Sequence, residues 1–180
     1  MIHHLLCCQA LAVYCYGFAL DVANLARPRL SLNLGLTLAL ILFIFGGCSG
    51  TRSDEIGIDP SGLRDCPKSP NCISSETKDE QHAIEPFRLK GDPNASWTLI
   101  RDEIASMPRW TIVTATDNYI YVECKSRIFR FVDDLELYFN SSNGIISIRS
   151  ASRIGYSDFG ANRRRVELLR SELKTKQVIE

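Results

Sequence analysis

The chain lacks the short motifs by which many enzymes are recognised. It has no glycine-rich phosphate-binding loop, no dinucleotide-binding fingerprint and no Gly-x-Ser-x-Gly turn. Neither sign of charge is in excess, because 21 Lys and Arg residues balance 21 Asp and Glu residues. No basic patch dominates, so nothing in the sequence indicates nucleic acid as a partner. Internal repeats are also missing. We expect one ordinary domain with appendages, and no cofactor.

The cysteines do not have the spacing of a typical metal or redox site. Cys66 and Cys72 bracket two prolines in "CPKSPNC", which is longer than the Cys-x-x-Cys of a redox pair. A zinc site would need two more ligands, and only His82 and the remote Cys124 are candidates. We therefore predict a structural disulfide between Cys66 and Cys72 and no metal, with the redox and zinc interpretations as alternatives. His82 is then an ordinary surface or packing histidine.

The first fifty residues are mostly apolar, unlike the rest of the chain. Residues 5–20 are interrupted only by Gln9, residues 30–45 carry no charge, and Arg27 and Arg29 lie between the two runs. A membrane-spanning helix needs about 20 apolar residues, somewhat more than either run offers. A basic segment, an apolar run and small residues before a cysteine follow the order of a signal peptide. We assign residues 1–47 to such a segment.

The stretch "IFGGCSG" resembles a bacterial lipoprotein signal, in which Cys48 would receive the lipid (palmitate, for example). Phe45 departs from the pattern, which usually has Leu there. The alternative is a retained transmembrane helix with Cys48 as an ordinary thiol. Residues 1–21 make the signal unusually long, so the true start is predicted near Val22. Ser49 resembles a signal for release to the outer membrane, if the host has two membranes.

The remaining chain is read as a tether and a domain. Residues 48–62 are small and polar, which is typical of a flexible tether, and residues 63–176 have the mixed composition of a folded domain. Export would place this domain in the periplasm or another extracytoplasmic space, attached to the cell membrane or outer membrane. A disulfide persists in such an oxidising space, and its short loop is worth roughly 2–3 kcal/mol at most.

Two helices are predicted. In "DPNASWTLIRDEIASMP", Asp92 is a plausible N-cap with Pro93 at the first helical position, and Trp97, Ile100 and Ile104 lie on one apolar stripe. The second helix is "ANRRRVELLRSELKTK", with an apolar stripe of Val166, Leu169 and Leu173.

Strands are predicted between the helices. "WTIVTAT" leads through a turn at Asp117-Asn118 into "YIYVECKS", in which Ile120, Val122 and Cys124 share one face. "RIFRFVDDLELYFN" and "IISIRSAS" follow, with a bulge predicted at Asp133-Asp134. The order predicts an α+β fold: a single antiparallel meander sheet of about four to five strands with two helices on one face.

Four of these stretches together resemble a known family. They are "CPKSPNCISSE", "HAIEPF", "FRFVDDLELYF" and "IISIRSASRIGYSDFGANRRRVELLR". They are similar to the domain-of-unknown-function family 1499 of bacteria and plastids, over residues 63–173. Family members often carry an export or lipoprotein signal, in agreement with the N-terminus here. The resemblance implies no particular activity, substrate or cofactor.

The richest polar segment is "RSASRIGYSDFGANRRR", between the last strand and the last helix. Arg149, Arg153 and Arg163 could cradle an anion beside a helix N-terminus, and with Asp134 they form our candidate ligand-binding set. The arginines could instead pair with acids that include Asp133 and Asp134 and lock the loop to the sheet. The matching number of opposite charges favours this structural interpretation.

Catalytic residues cannot be named from the sequence. Asp133 and Asp134 are neighbours on a strand and should point to opposite faces. The serines have no nearby histidine, and His82 is the only candidate base. An enzyme that uses His82 with Asp133 or Asp134 is therefore an alternative to a binding protein, and the less favoured one.

The sequence thus predicts a membrane-anchored, exported lipoprotein of unknown activity that binds a component of the cell envelope. The membrane is one partner, reached through the lipid or an N-terminal helix, and an anionic small ligand or an envelope protein is another. The alternatives are a hydrolase-like enzyme and a purely structural envelope protein with a retained transmembrane helix.

The intact mass of protein extracted from native membranes, measured with and without thiol alkylation, tests the predicted lipoprotein signal and the predicted disulfide together. We expect an acylated chain that begins at Cys48 and has one free thiol, Cys124. A mass that includes residues from Met1, or three free thiols in the domain, would contradict this expectation.

Overall fold

The computed structural model describes residues 50–52 and 56–180, which belong to the compact unit Gly47–Glu180. The predicted signal segment, the lipid site Cys48 and the alternative retained helix lie outside the described residues. Neither helix of the described part is both long and apolar enough to cross a membrane.

Two helices form where caps and apolar stripes predict them. Helix α1 spans Pro93–Ser106, and the Asp92 carboxylate accepts a hydrogen bond from the Ala95 N–H at 2.8 Å. Helix α2 spans Ala161–Thr175, and its N-cap is Gly160 at a φ of 78°. The Asp158 carboxylate accepts bonds from the N–H groups of Gly160 and Asn162 in this first turn. A side chain two residues before the cap thus satisfies N–H groups that the helix leaves without partners.

Eight strands are present in the described residues, and they form two sheets. A two-stranded hairpin joins β1 (Ile58–Asp59) to β2 (Gly62–Leu63). The main sheet has six strands in the order β3-β8-β7-β6-β5, and β4 pairs with the same edge of β8 as β3. Its members are β3 (Cys72–Ser74), β4 (Phe87–Arg88), β5 (Trp110–Ala115), β6 (Tyr119–Lys125), β7 (Val132–Asn140) and β8 (Ile145–Ser152). Every pairing of these strands is antiparallel.

The main sheet has two different faces. One face carries Ile120, Val122 and Leu135 and packs against the apolar stripes of both helices in one core. Cys124 belongs to this core as a buried free thiol, and burial raises its pKa to about 12, so it is chemically inert. The other face carries tyrosines, acids and arginines, and part of it is covered by Leu63 of the β1–β2 hairpin.

The fold class was predicted correctly, but the strand count was wrong. The main sheet has six strands, not four to five, because the short strands β3 and β4 add to the edge of β8. The predicted bulge at Asp133-Asp134 was also wrong, since both residues stay in register with β6 and β8. The register shift lies instead in β5, between Ile112 and Thr114. Residues 127–131, predicted as strand, form the loop before β7.

Truncation of the core should destabilise the domain strongly. Leu137 is fully buried in the core, so Leu137→Ala should lower the free energy of unfolding by about 2–5 kcal/mol in urea titration. Leu168→Ala on the exposed side of α2 is the matched control and should cost about 0.5 kcal/mol or less. Equal effects of the two changes would contradict this description of the core.

Candidate polar site

Charged side chains are buried on the sheet face opposite the helices. Glu136 and Arg149 lie directly opposite each other in the β7–β8 register, and both are almost completely inaccessible to water. Arg149 Nη1 donates to Glu136 Oε2 at 2.8 Å. The other carboxylate oxygen, Oε1, accepts from the Tyr119 hydroxyl and from the Gly57 N–H, each at 2.7 Å. Glu136, on β7, therefore connects side chains of β6 and β8 to the backbone of the segment that precedes the β1–β2 hairpin.

A second ion pair lies beside the first. Arg153, from the loop after β8, donates to Asp134 through Nε and Nη2 and to Glu123 through Nη2. Its Nη2 also donates to the Tyr121 hydroxyl, which itself donates to Asp134 at 2.7 Å. Arg153 thus binds Glu123 of β6 and Asp134 of β7, and these bonds hold the loop after β8 against the sheet.

Burial and these charges shift the protonation of the groups involved. Burial raises the pKa of Tyr121 to about 12, and the hydrogen bond to Asp134 adds to the shift. Burial and the Glu136 carboxylate raise the pKa of Tyr119 well above its usual range. For Arg153, burial lowers the pKa, but hydrogen bonds to Asp134 and Glu123 outweigh burial and leave the pKa above its ordinary value. Both tyrosines are therefore neutral donors at physiological pH.

A polar cavity of about 250 Å³ opens next to these ion pairs. Its walls come from the disulfide loop, β7, β8 and the loop after β8, and they comprise Pro67, Ser69, Asn71, Asp134, Arg149, Ala151, Ser152, Arg153 and Gly155. Three of the four residues predicted from sequence to bind a ligand, Asp134, Arg149 and Arg153, therefore lie in one place.

The disulfide fixes one wall of this cavity. Cys66 and Cys72 are bonded, as predicted, and Cys72 opens β3. Asn71 lies within the closed loop, and its side-chain amide donates to the backbone carbonyl of Gly155 at 2.6 Å. The backbone carbonyl of Asn71 accepts a hydrogen bond from the side-chain amide of Asn162. The disulfide loop is thereby held against both the loop after β8 and the first turn of α2.

Arg163 does not take part in the cavity. It is exposed on α2 and donates through Nη2 to the Ala83 carbonyl at 2.8 Å, where it ties the helix to the segment before β4. The sequence placed it with Arg149 and Arg153 because it is close in the chain, but the helix directs it elsewhere.

The residues of the enzyme alternative are not brought together. Asp133 and Asp134 point to opposite faces, as expected: Asp133 pairs with Arg165 of α2, whereas Asp134 pairs with Arg153. His82 is buried, and its Nδ1 lies 2.7 Å from the Cys72 carbonyl. Within residues 50–52 and 56–180, no hydrogen bond or ion pair links His82 to either aspartate.

One family model matches the sequence over residues 62–173, and its description is "Protein of unknown function (DUF1499)". The match spans more than half of the chain, so it decides the family. The chain belongs to the DUF1499 family. No curated protein matches the chain, and no solved structure matches it.

Several residues of the polar site in this DUF1499 domain were missed by the sequence reasoning. Tyr119, Tyr121 and Glu123 share one face of β6, and the signal for them was available. If Ile120, Val122 and Cys124 face the core, the residues between them must face the acids of β7. Asn71 had no comparable signal, because its role depends on the path of the disulfide loop.

Removal of one buried charge should cost far more than removal of an exposed one. Glu136→Gln keeps the shape of the side chain but removes the buried carboxylate to which Arg149 Nη1 donates, so we expect a loss of about 3 kcal/mol or more in the free energy of unfolding. Glu167→Gln is the control: it removes the half-exposed partner of Arg170 and should cost less than about 1 kcal/mol. Similar losses for both variants would show that the buried pair does not hold the polar face together.

Proposed function

We propose that this DUF1499 protein is exported and membrane-tethered, and that its domain binds a small anionic component of the cell envelope in the polar cavity. The observation that carries the proposal is the cavity itself. Asp134, Arg149 and Arg153 line it together with the hydroxyl and amide groups of Ser69 and Asn71. A few polar groups that converge on one concave site are the usual form of a small-ligand site.

The chemistry of the cavity favours a compact ligand with a phosphate or carboxylate and neighbouring hydroxyl groups. Two arginines and one aspartate line the walls, whereas Glu136 and Glu123, which also pair with these arginines, are not among the lining residues. Arg153 Nη1 makes a long contact of 3.4 Å with the Gly50 carbonyl, whereas its Nε and Nη2 make shorter bonds to acids. This Nη1 group can exchange its weak contact for an anion while the other nitrogens keep Arg153 in position.

The disulfide supports the extracytoplasmic location. Disulfides form and persist in oxidising compartments and are rare where thiols are kept reduced. The Cys66–Cys72 bond closes the loop that supplies Pro67, Ser69 and Asn71 to the cavity wall, so the shape of the proposed site depends on the oxidised protein. The basic, apolar and small residues before Cys48 support a signal peptide and a lipid anchor on the same side of the membrane.

A structural role is the second candidate, and the pairing of charges favours it. Glu136 faces Arg149, and Asp134 and Glu123 face Arg153, so these acids and arginines already satisfy one another. In this alternative the polar face is only scaffolding, and the protein acts through its surface.

Thermal unfolding of the full chain in detergent, titrated with sn-glycerol 1-phosphate, separates the two roles. A ligand at a hundredfold excess over its Kd stabilises the folded state by about 2.7 kcal/mol, which corresponds to a rise in Tm on the order of 10 °C for a domain of this size. We expect a saturable rise in Tm with glycerol phosphate and none with glycerol.

Two variants locate the effect. Ser69→Trp fills the cavity from its half-buried wall and should abolish the rise without changing the Tm of the free protein by much. Arg163→Gln, outside the cavity, should leave the rise intact. If the wild-type Tm does not respond to glycerol phosphate, inorganic phosphate or acetate, the binding proposal is wrong and the structural role stands.

A further inference from the structure

The loop between β6 and β7 exposes large apolar side chains. Residues 126–131 read "SRIFRF", and Ile128 is 75%, Phe129 61% and Phe131 39% exposed to solvent. The rings of Phe129 and Phe131 stack on each other at 5.6 Å instead of packing into the core. Arg127 and Arg130 are interspersed among them, and the loop contains no acid. Exposed apolar groups in this number mark an interaction surface rather than a normal surface loop.

A second exposed apolar loop leaves the same end of the sheet. β6 pairs Lys125 with Val132 of β7, and β7 pairs Asp133 with Ser152, the last residue of β8. The loops 126–131 and 153–160 therefore emerge side by side. The second loop carries Tyr156 at 77% and Phe159 at 89% exposure, the most exposed large hydrophobic side chain described. Its one acid, Asp158, is occupied by the first turn of α2.

The chain enters the domain at this end. Gly50 lies against the Arg153 and Ile154 side chains, and its carbonyl accepts from Arg153. Cys48 is two residues earlier, so it can lie no more than about 7 Å along the chain from Gly50. The uncharged apolar run of residues 30–45 ends five residues before Gly50. The described part of the chain therefore begins at Gly50, beside the second apolar loop.

We propose that this end of the domain is a membrane-contacting face, in which Phe129, Phe131, Tyr156 and Phe159 enter the interfacial region of an anionic bilayer. The inference rests on the membrane tether of the proposed function, but not on the cavity ligand. The amphipathic ring of Tyr156 favours the interface between headgroups and acyl chains. The phenylalanine rings supply apolar insertion, which combined with basic residues is the physical basis of peripheral binding to anionic lipid. Arg127 and Arg130 supply those basic residues next to the inserted rings.

Quenching of introduced tryptophans by brominated lipid measures contact of each loop with the bilayer. Phe129→Trp and Phe159→Trp place a fluorophore on each loop, and Leu99→Trp places one at an exposed position in α1 as the matched control. The full chain is reconstituted into vesicles of phosphatidylcholine and phosphatidylglycerol that carry brominated acyl chains. After subtraction of the Trp97 and Trp110 signal, we expect several-fold stronger quenching at positions 129 and 159 than at 99, and weaker quenching without phosphatidylglycerol.

The outcomes separate the two proposals. If the full chain fails to float with the vesicles, the tether and this face are both wrong. If the chain floats but bromine quenches positions 129, 159 and 99 equally, the membrane face alone is wrong. Protection of position 129 from aqueous acrylamide without quenching by bromine would assign the face to a second copy or another protein, and would also overturn the inference. Quenching that is unchanged in purely zwitterionic vesicles would overturn the role of Arg127 and Arg130.

Discussion

Two buried ion pairs, Glu136–Arg149 and Asp134–Arg153, constrain the rest of the polar half of this domain. A charge removed from water costs several kcal/mol unless a partner and further hydrogen bonds compensate it. The β7–β8 register has to place Glu136 opposite Arg149, and the loop after β8 has to return Arg153 over the sheet. The segment before β1 has to supply the Gly57 N–H to Glu136. Three of the four residues of these ion pairs, Asp134, Arg149 and Arg153, also line the cavity.

The parts of the fold that follow from local physics could be predicted from sequence. Asp92 and Pro93 set the start of α1, and alternation with short turns predicted β5, β6 and β8. The strands β3 and β4 could not be predicted, because strands of two or three residues exist only by pairing with β8. The misplaced bulge and the start of β7 have one cause. Both come from taking apolar residues as buried and acidic residues as exposed. Phe129 and Phe131 alternate as strand residues do, but they are exposed in a loop before β7. Asp133 and Asp134 need no bulge, because each pairs with an arginine on its own face of the strand.

The candidate site was predictable to the same extent and for the same reason. The antiparallel pairing of β7 and β8, which follow each other in sequence, brings together residues on or just after these strands. These residues are Asp134, Arg149 and Arg153. Arg163 follows a turn into a helix, and the direction of a side chain there depends on how that helix packs. The disulfide could be predicted from composition and compartment, but the position of its loop in the cavity wall depends on contacts between Asn71 and residues more than 80 positions later.

The two edges of the main sheet are closed to further strands by different means. At one edge lie the short strands β3 and β4, and isolated bridges from Ser74 to Ala83 and from Leu89 to Ile179 occupy or adjoin their outer sides. Within residues 50–52 and 56–180 no strand pairs with the outer side of β5, the opposite edge, but the register shift of β5 between Ile112 and Thr114 interrupts the flat ladder that another strand would need. Copies of this domain crowded together on a surface would therefore resist the edge-to-edge pairing that leads to aggregation.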